Sequence, residues 1–238
     1  MKNLLVGCDL SMNHGAVIIF KYEENKGKYE INFKKLIIIT DNKKTFQKLR
    51  KNEKCYCILY DKKLPKLQKQ SLYVRDILCE IDKEMIKIKN SEVYVAIEDY
   101  AYSMHSSSVT SLAETIGFFK ILLYECDHNI RRYESTSVKL FNTGKGNADK
   151  NEVKDIVLEE LKIKTNLDLD IDNKSLFDIT DAFAVFNVLK NEFLLKKGFI
   201  DLKSLPEHQI RVFNKVRKGE DTNLLYTDWE KEGNNAIS

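Results

Sequence analysis

The sequence predicts an α/β protein built on a mixed sheet, and three observations lead there. Residues 3–40 hold three apolar runs separated by short turns, the pattern of an antiparallel three-stranded meander. A long amphipathic stretch, Gln68 to Lys89, then leads into a buried run, Val93 to Ile97. A strand reached through a helical crossover pairs parallel to its neighbour, so this fourth run belongs beside the first. Helical periodicity dominates the rest of the chain.

In order, the first strand is the LLVGC run from Asn3, which ends on Asp9. Gly7 and Cys8 are small enough there to admit a close neighbour. Ser11 to Gly15 reads as a turn, Ala16 to Phe20 as the second strand, and Tyr29 to Thr40 as the third. Residues 41–70 are Lys-rich, with a helix near Lys43–Lys51 and a loop through Pro65. The strand Val93 to Ile97 ends at Glu98, followed by a polar-aromatic loop, Tyr100 to Ser108, that includes His105. Val109, Leu112, Ala113, Ile116, Phe119 and Leu123 mark a helix, on which Gly117 suggests close packing. Ile130 to Tyr133 is a short strand, and Ser135 to Ser137 can cap a short helix through Phe141.

The stretch Asn142 to Lys150 carries Gly144, Lys145, Gly146 and Lys150 ahead of a helix start near Asp149, a plausible phosphate cradle. It lacks the Walker A spacing. Residues 163–174 read as a polar loop whose Asp168, Asp170 and Asp172 lack the glycine and closing Glu of a calcium loop. Asp178 and Asp181 follow, three apart in an otherwise buried helix through Leu189. Such a pair shares one helix face and repels itself where desolvated, which a divalent cation would relieve. By itself the pair also fits a solvated first turn, where acids favour the helix dipole. Asp9 and Glu98 likewise end strands, at the edge where open α/β sheets place their sites.

Composition narrows the classes. The chain has 238 residues, 43% of them hydrophobic, enough for one large domain with an appendage. No apolar run reaches the roughly 20 residues a membrane span needs, and the start is too short for a signal peptide. A soluble cytoplasmic protein with no membrane partner is expected. The five cysteines, Cys8, Cys55, Cys57, Cys79 and Cys126, are odd in number and irregularly spaced, so neither a disulfide framework nor zinc is expected. Residues 1–70 hold 16 basic and 7 acidic residues, a net +9, while the remainder is net −6. The basic part suits a polyanion or a solvated lysine face.

Four segments, VGCDLSMNHGAVII, VAIEDYAY, SVKLFNTGKGNADKNEV and FDITDAFAVFNVL, together resemble the RuvC-like Holliday junction resolvases of the RNase H-like superfamily, closest in look to viral and phage branches. The resemblance covers about residues 3–195. It implies an RNase H-like domain over residues 1–196, with a Lys-rich insertion at about 41–70, and a C-terminal extension, 197–238, partly helical with a mobile tail from Thr222. It also implies a five-stranded mixed sheet, three antiparallel strands followed by two parallel ones, flanked by helices.

By the same resemblance Asp9, Glu98, Asp178 and Asp181 are the catalytic residues and hold two magnesium ions, with manganese as a substitute. Lys150 matches the lysine of the family's AxK element and Lys139 that of its VK element. With Lys145, and with Tyr100 or Tyr102 where the family often has an aromatic at the position of Ala101, they would contact DNA. His14 and His105 read as turn and loop residues. The implied activity is Mg-dependent resolution of four-way junctions by paired nicks from a homodimer, which suits the two-fold symmetry of the substrate. Alternatives are a nuclease of the same fold acting on other branched DNA or RNA–DNA hybrids, or a non-catalytic DNA-binding protein.

Overall fold

A computed structural model describes residues 1–11, 14–61, 63–99 and 107–216. Strands β1 (Lys2–Leu10), β2 (Gly15–Asn25) and β3 (Lys28–Thr40) form the antiparallel meander. After helix α1 (Lys43–Leu49), strand β4 (Cys55–Leu59) pairs parallel to β3. Helix α2 (Lys66–Ile86) crosses to β5 (Glu92–Asp99), which lies parallel to β1. Helix α3 (Ser107–Glu125) then leads to β6 (Asn129–Glu134), parallel to β5. The spatial order β4-β3-β2-β1-β5-β6 puts β1 in the interior. The fold class is the one expected, with six strands among the described residues in place of five.

The extra strand comes from the Lys-rich stretch read as a loop. CYCIL is five residues long, buries Cys55 and Ile58, and runs along an edge, from the pair Leu36–Cys55 to Thr40–Leu59. A strand this short, with one buried residue on each face and lysines on both flanks, leaves too few alternating positions to stand out. Its neighbour α1 does fall where a helix was expected, capped by Asn42, whose side chain accepts from Lys44 and Thr45 backbone N–H groups.

Among the described residues the remaining elements are helices α4 (Ser135–Thr143), α5 (Lys150–Thr165), α6 (Asn173–Lys196) and α7 (Glu207–Val216), with a short 3-10 turn at Leu202–Ser204. Alternation along β1 divides the core in two. Leu4, Val6 and Cys8 face a cluster with Ile77 and Ile81 of α2 and Phe119 and Leu123 of α3. Leu5 faces the other way, into a cluster with α4, α5, α6 and α7. Helix α6 is buried on nearly all sides, from Leu176 to Leu195, as a helix apolar around its circumference must be. Between β6 and α6, buried Arg131 donates to both carboxylate oxygens of Glu192, and Tyr133 donates its hydroxyl to the same group. Phe199, Val212 and Phe213 join this core, so the chain beyond Lys196 packs onto it. Residues 217–238, the expected tail among them, lie outside the described residues. Among the described residues no helix is long and apolar enough to cross a membrane.

Two glycines test the packing. A Cβ at Gly7 would lie 2.4 Å from the Ala182 carbonyl oxygen and 2.7 Å from the Phe186 nitrogen, so α6 rests directly on β1. At Gly117 a Cβ would meet nothing within 4 Å, and the close packing expected there does not occur. Gly7→Ala is therefore expected to cost about 3 kcal/mol, because the atoms it strikes are backbone. Gly117→Ala should be neutral or stabilise by up to about 1 kcal/mol, since glycine disfavours a helix. Urea unfolding midpoints measure both, and equal midpoints for the two variants would contradict the contact at Gly7.

Candidate active site and metal centre

Strand geometry brings the first two acids together. Asp9 lies two and four residues beyond Gly7 and Leu5, so it shares their face, toward α6. On β5, Tyr94 and Ala96 belong to the same core cluster, and Glu98 continues their alternation. The parallel register pairs Cys8 with Ile97, which sets Asp9 and Glu98 side by side at the C-terminal edge of the sheet.

Helix α6 supplies the other two. Ala182 and Phe186 cover Gly7, and Asp178 and Asp181 precede them on that side. They occupy the second and third turns of a helix that starts at Asn173, so the first-turn alternative does not apply. Several contacts fix the start of α6. Asp172 caps it, accepting from the Ser175 backbone N–H at 3.0 Å and from the Thr45 hydroxyl at 2.6 Å. Thr40 and Ser175 share a buried hydrogen bond of 3.0 Å. Lys174 donates to His14 Nε2 at 2.5 Å, with Asp41 3.6 Å from the same nitrogen. His14, the turn residue the sequence suggested, is thus also a buried anchor between the first hairpin and α6.

The electrostatics are those of one crowded pocket. Burial, then the charges of Glu98, Asp181 and Asp178, push the Asp9 carboxyl well above its usual range, and Lys150 opposes them. Burial raises Glu98 too, against a hydrogen bond from Ser135 and the charges of Lys150 and Lys139, with Asp181 adding to the rise. Burial pushes Asp178 up to about 7, and Asp181 adds repulsion. Lys150 donates to Asp181 Oδ2 at 3.0 Å. Although its own burial works against it, the surrounding acids hold its ammonium above the usual range.

The pocket fits hard divalent cations. Its donors are all carboxylate oxygens, the class magnesium prefers. Asp178 Oδ2 is buried and has no hydrogen-bond partner, which a buried carboxylate oxygen ordinarily requires.

The other expected residues separate into three groups. Lys150 and Lys139 border the acids. Lys145 instead pairs with Glu152 at 2.8 Å in the open turn before α5. The anion cradle read there is already served, because Asp149 accepts from Asn151 and Glu152 N–H and Glu152 reaches back to the Asp149 N–H. Tyr100, Tyr102 and His105 lie outside the described residues. Ser135 and Lys174 are two neighbours of the acids that the sequence reading passed over. A serine at a helix start and a lysine in a polar loop give no sign of what they touch.

A family model described as crossover junction endodeoxyribonuclease RuvC matches residues 51–186, a span that contains Glu98, Lys150, Asp178 and Asp181. No curated protein matches the chain. Among solved structures, RuvC of Thermus thermophilus is 17% identical with a TM-score of 0.50, covering 82% of this chain and 96% of that one. T. thermophilus RuvC in complex with its Holliday junction substrate is 13% identical with a TM-score of 0.47, covering 77% and 90%.

Burial and repulsion in the pocket tie stability to pH. Asp178 ionises near 3.8 when unfolded and about 7 when folded. Between those values the folded chain holds a proton that the unfolded chain has lost, so stability falls as pH rises through the window. The raised Asp9 and Glu98 act in the same direction. With divalent cations chelated, the melting temperature should drop by several degrees from about pH 5 to about pH 8, on the order of 2 kcal/mol. Asp178→Asn should flatten much of that drop in a thermal melt series. An unchanged slope in the variant would mean that Asp178 is not the group responsible.

Proposed function

The chain belongs to the family of the crossover junction endodeoxyribonuclease RuvC, and on that premise we propose that it is a magnesium-dependent endonuclease that resolves four-way DNA junctions by paired nicks. The observation that carries this reading is the mutual electrostatic coupling of Asp9 with Glu98, Asp178 and Asp181, brought from three separate elements to one sheet edge. A binding protein gains nothing from partly burying these acids together, because their repulsion lowers stability. A polyanion would also be repelled by them unless cations intervened.

Asp9, on an interior strand, would hold the divalent cations together with Glu98, Asp178 and Asp181. Bound divalent cations supply Lewis-acid stabilisation of the phosphodiester and make a water nucleophile available at neutral pH. The acids fix where the scissile phosphate lies by fixing its cations. Lys150, 59% exposed yet paired to Asp181, is placed to turn from the carboxylate to a phosphate oxygen when DNA arrives. Lys139 would neutralise a phosphate near Glu98, and Ser135 orients the Glu98 carboxyl by its hydrogen bond. Lys145 and one of Tyr100 or Tyr102 would contact the DNA arms outside the pocket. Two chains related by a two-fold axis would present two such pockets to the two strands cut.

A synthetic four-way junction, an RNA–DNA hybrid duplex and a linear duplex, each with and without magnesium, test the reading. Cleavage of the junction alone, in symmetric pairs and only with magnesium, is expected. Asp9→Asn should lower the rate by a factor on the order of 10³ or more, about 4 kcal/mol of transition-state stabilisation, while junction binding in a gel shift persists. Full activity in Asp9→Asn would overturn the assignment, and preference for the hybrid would move the substrate class. Lys150→Ala should weaken junction binding and reduce its salt dependence by about one phosphate contact, read as the slope of log K against log salt.

A further inference from the structure

A second cluster of ligating side chains sits at the opposite edge of the sheet. Asp82 lies near the end of α2, Cys126 directly follows α3, and His128 directly precedes β6. One ligand atom from each lies within 4.8 Å of the other two. Strands β1, β5 and β6 run parallel, so this edge holds their N-terminal ends while Asp9 and Glu98 mark the C-terminal ends. We propose that Asp82, Cys126 and His128 bind a transition-metal ion of the zinc class, separate from the carboxylate pocket.

The local structure holds these atoms in place. Asp127 takes the left-handed conformation, φ 55°, which Asp tolerates better than most residues. The Cys126, Asp127 and His128 backbone N–H groups donate back into the last turn of α3, at 3.1, 3.1 and 3.0 Å. This tight turn brings Cys126 and His128 to the same side. The His128 ring is buried, and its Nε2 lies 3.0 Å from Asp82 Oδ1, a spacing two ligands of one ion can adopt. Cys126 is exposed and lines an open recess of about 350 Å³ with Cys79 and Asp82, so an ion has a route in. The C-terminal ends of α2 and α3 both meet here, and their dipoles favour a cation.

The donor set selects the ion. One thiolate, one imidazole and one carboxylate suit zinc or cobalt and not magnesium, which takes oxygen. On binding, the Cys126 thiol gives its proton to solvent and ligates as thiolate. The fourth position of a tetrahedral shell is left to water or to Cys79 from the same recess. An ion here would tie α2 to the α3–β6 turn without touching the acids.

The test uses the full chain, reduced and stripped of metal, titrated with cobalt in a large excess of magnesium. A thiolate-to-cobalt absorption band saturating at one ion per chain is expected, and zinc should bleach it. Cys126→Ser should lose the band, and so should His128→Asn. Asp178→Asn should keep it, which separates this ion from any in the carboxylate pocket. Zinc should also raise the melting temperature of the parent but not of Cys126→Ser, whose exposed position keeps the variant folded. No band in the parent, a band that survives Cys126→Ser, or a band lost in Asp178→Asn would each overturn the proposal.

Discussion

At Gly7 the backbone of α6 lies against β1 at a distance that no side chain survives, 2.4 Å from a built Cβ to the Ala182 oxygen. The site depends on that contact. Asp9 is two residues along the strand from it, and Asp178 and Asp181 are within the two helical turns that lead to it. Because both elements are regular, fixing one point of contact fixes the rest by periodicity. Parallel pairing with β5 then brings in Glu98 with no further device. A helix raised by the thickness of one methyl group would separate the acids of α6 from those of the sheet.

That arrangement opposes stability locally. Burial and the neighbouring acids push Asp9, Glu98 and Asp178 up in pKa, while Lys150, and for Glu98 first Ser135, relieve them. The surrounding structure resists the repulsion through contacts at both ends of α6. At its start, Asp172, Ser175 and Lys174 are tied to Thr45, Thr40 and His14. Near its end, Glu192 is held by Arg131 and Tyr133 of β6. A buried ion pair is not strongly stabilising in itself, but losing one partner strands the other, so the pair also opposes slippage of α6 along the sheet. Between these anchors the apolar faces of Phe183, Phe186 and Phe193 complete the packing, with Phe186 stacked on Phe20 of β2.

The Lys-rich stretch at 41–70 carries structure that its charge does not show. Its α1 and β4 extend the sheet and brace α6. Lys48 is occupied by Asp168 at 2.9 Å, and Thr45 serves the α6 cap. Lysine content reports solvation along one side of an element and says nothing about what the other side buries. The helix start that follows the glycine-rich turn is likewise occupied, since the N–H groups of Asn151 and Glu152 are answered by the chain's own Asp149.

The sequence by itself determined the meander, the crossover and the late buried helix, because periods of two and of 3.6 residues are written into the order of apolar positions. It also singled out Asp9 and Glu98, as charges that end apolar runs, and Asp178 and Asp181, as acids three apart in an otherwise apolar helix, since both patterns are visible without knowing their neighbours. Tertiary structure alone decided that those four face one another, that His14 is buried beneath Lys174, and that Ser135 serves Glu98. It alone joined Asp82 to Cys126 and His128 across the gap between two helices. Such contacts link residues tens of positions apart, and which pairs meet is set by how helices seat on the sheet, a property of shape that no short stretch of chain contains.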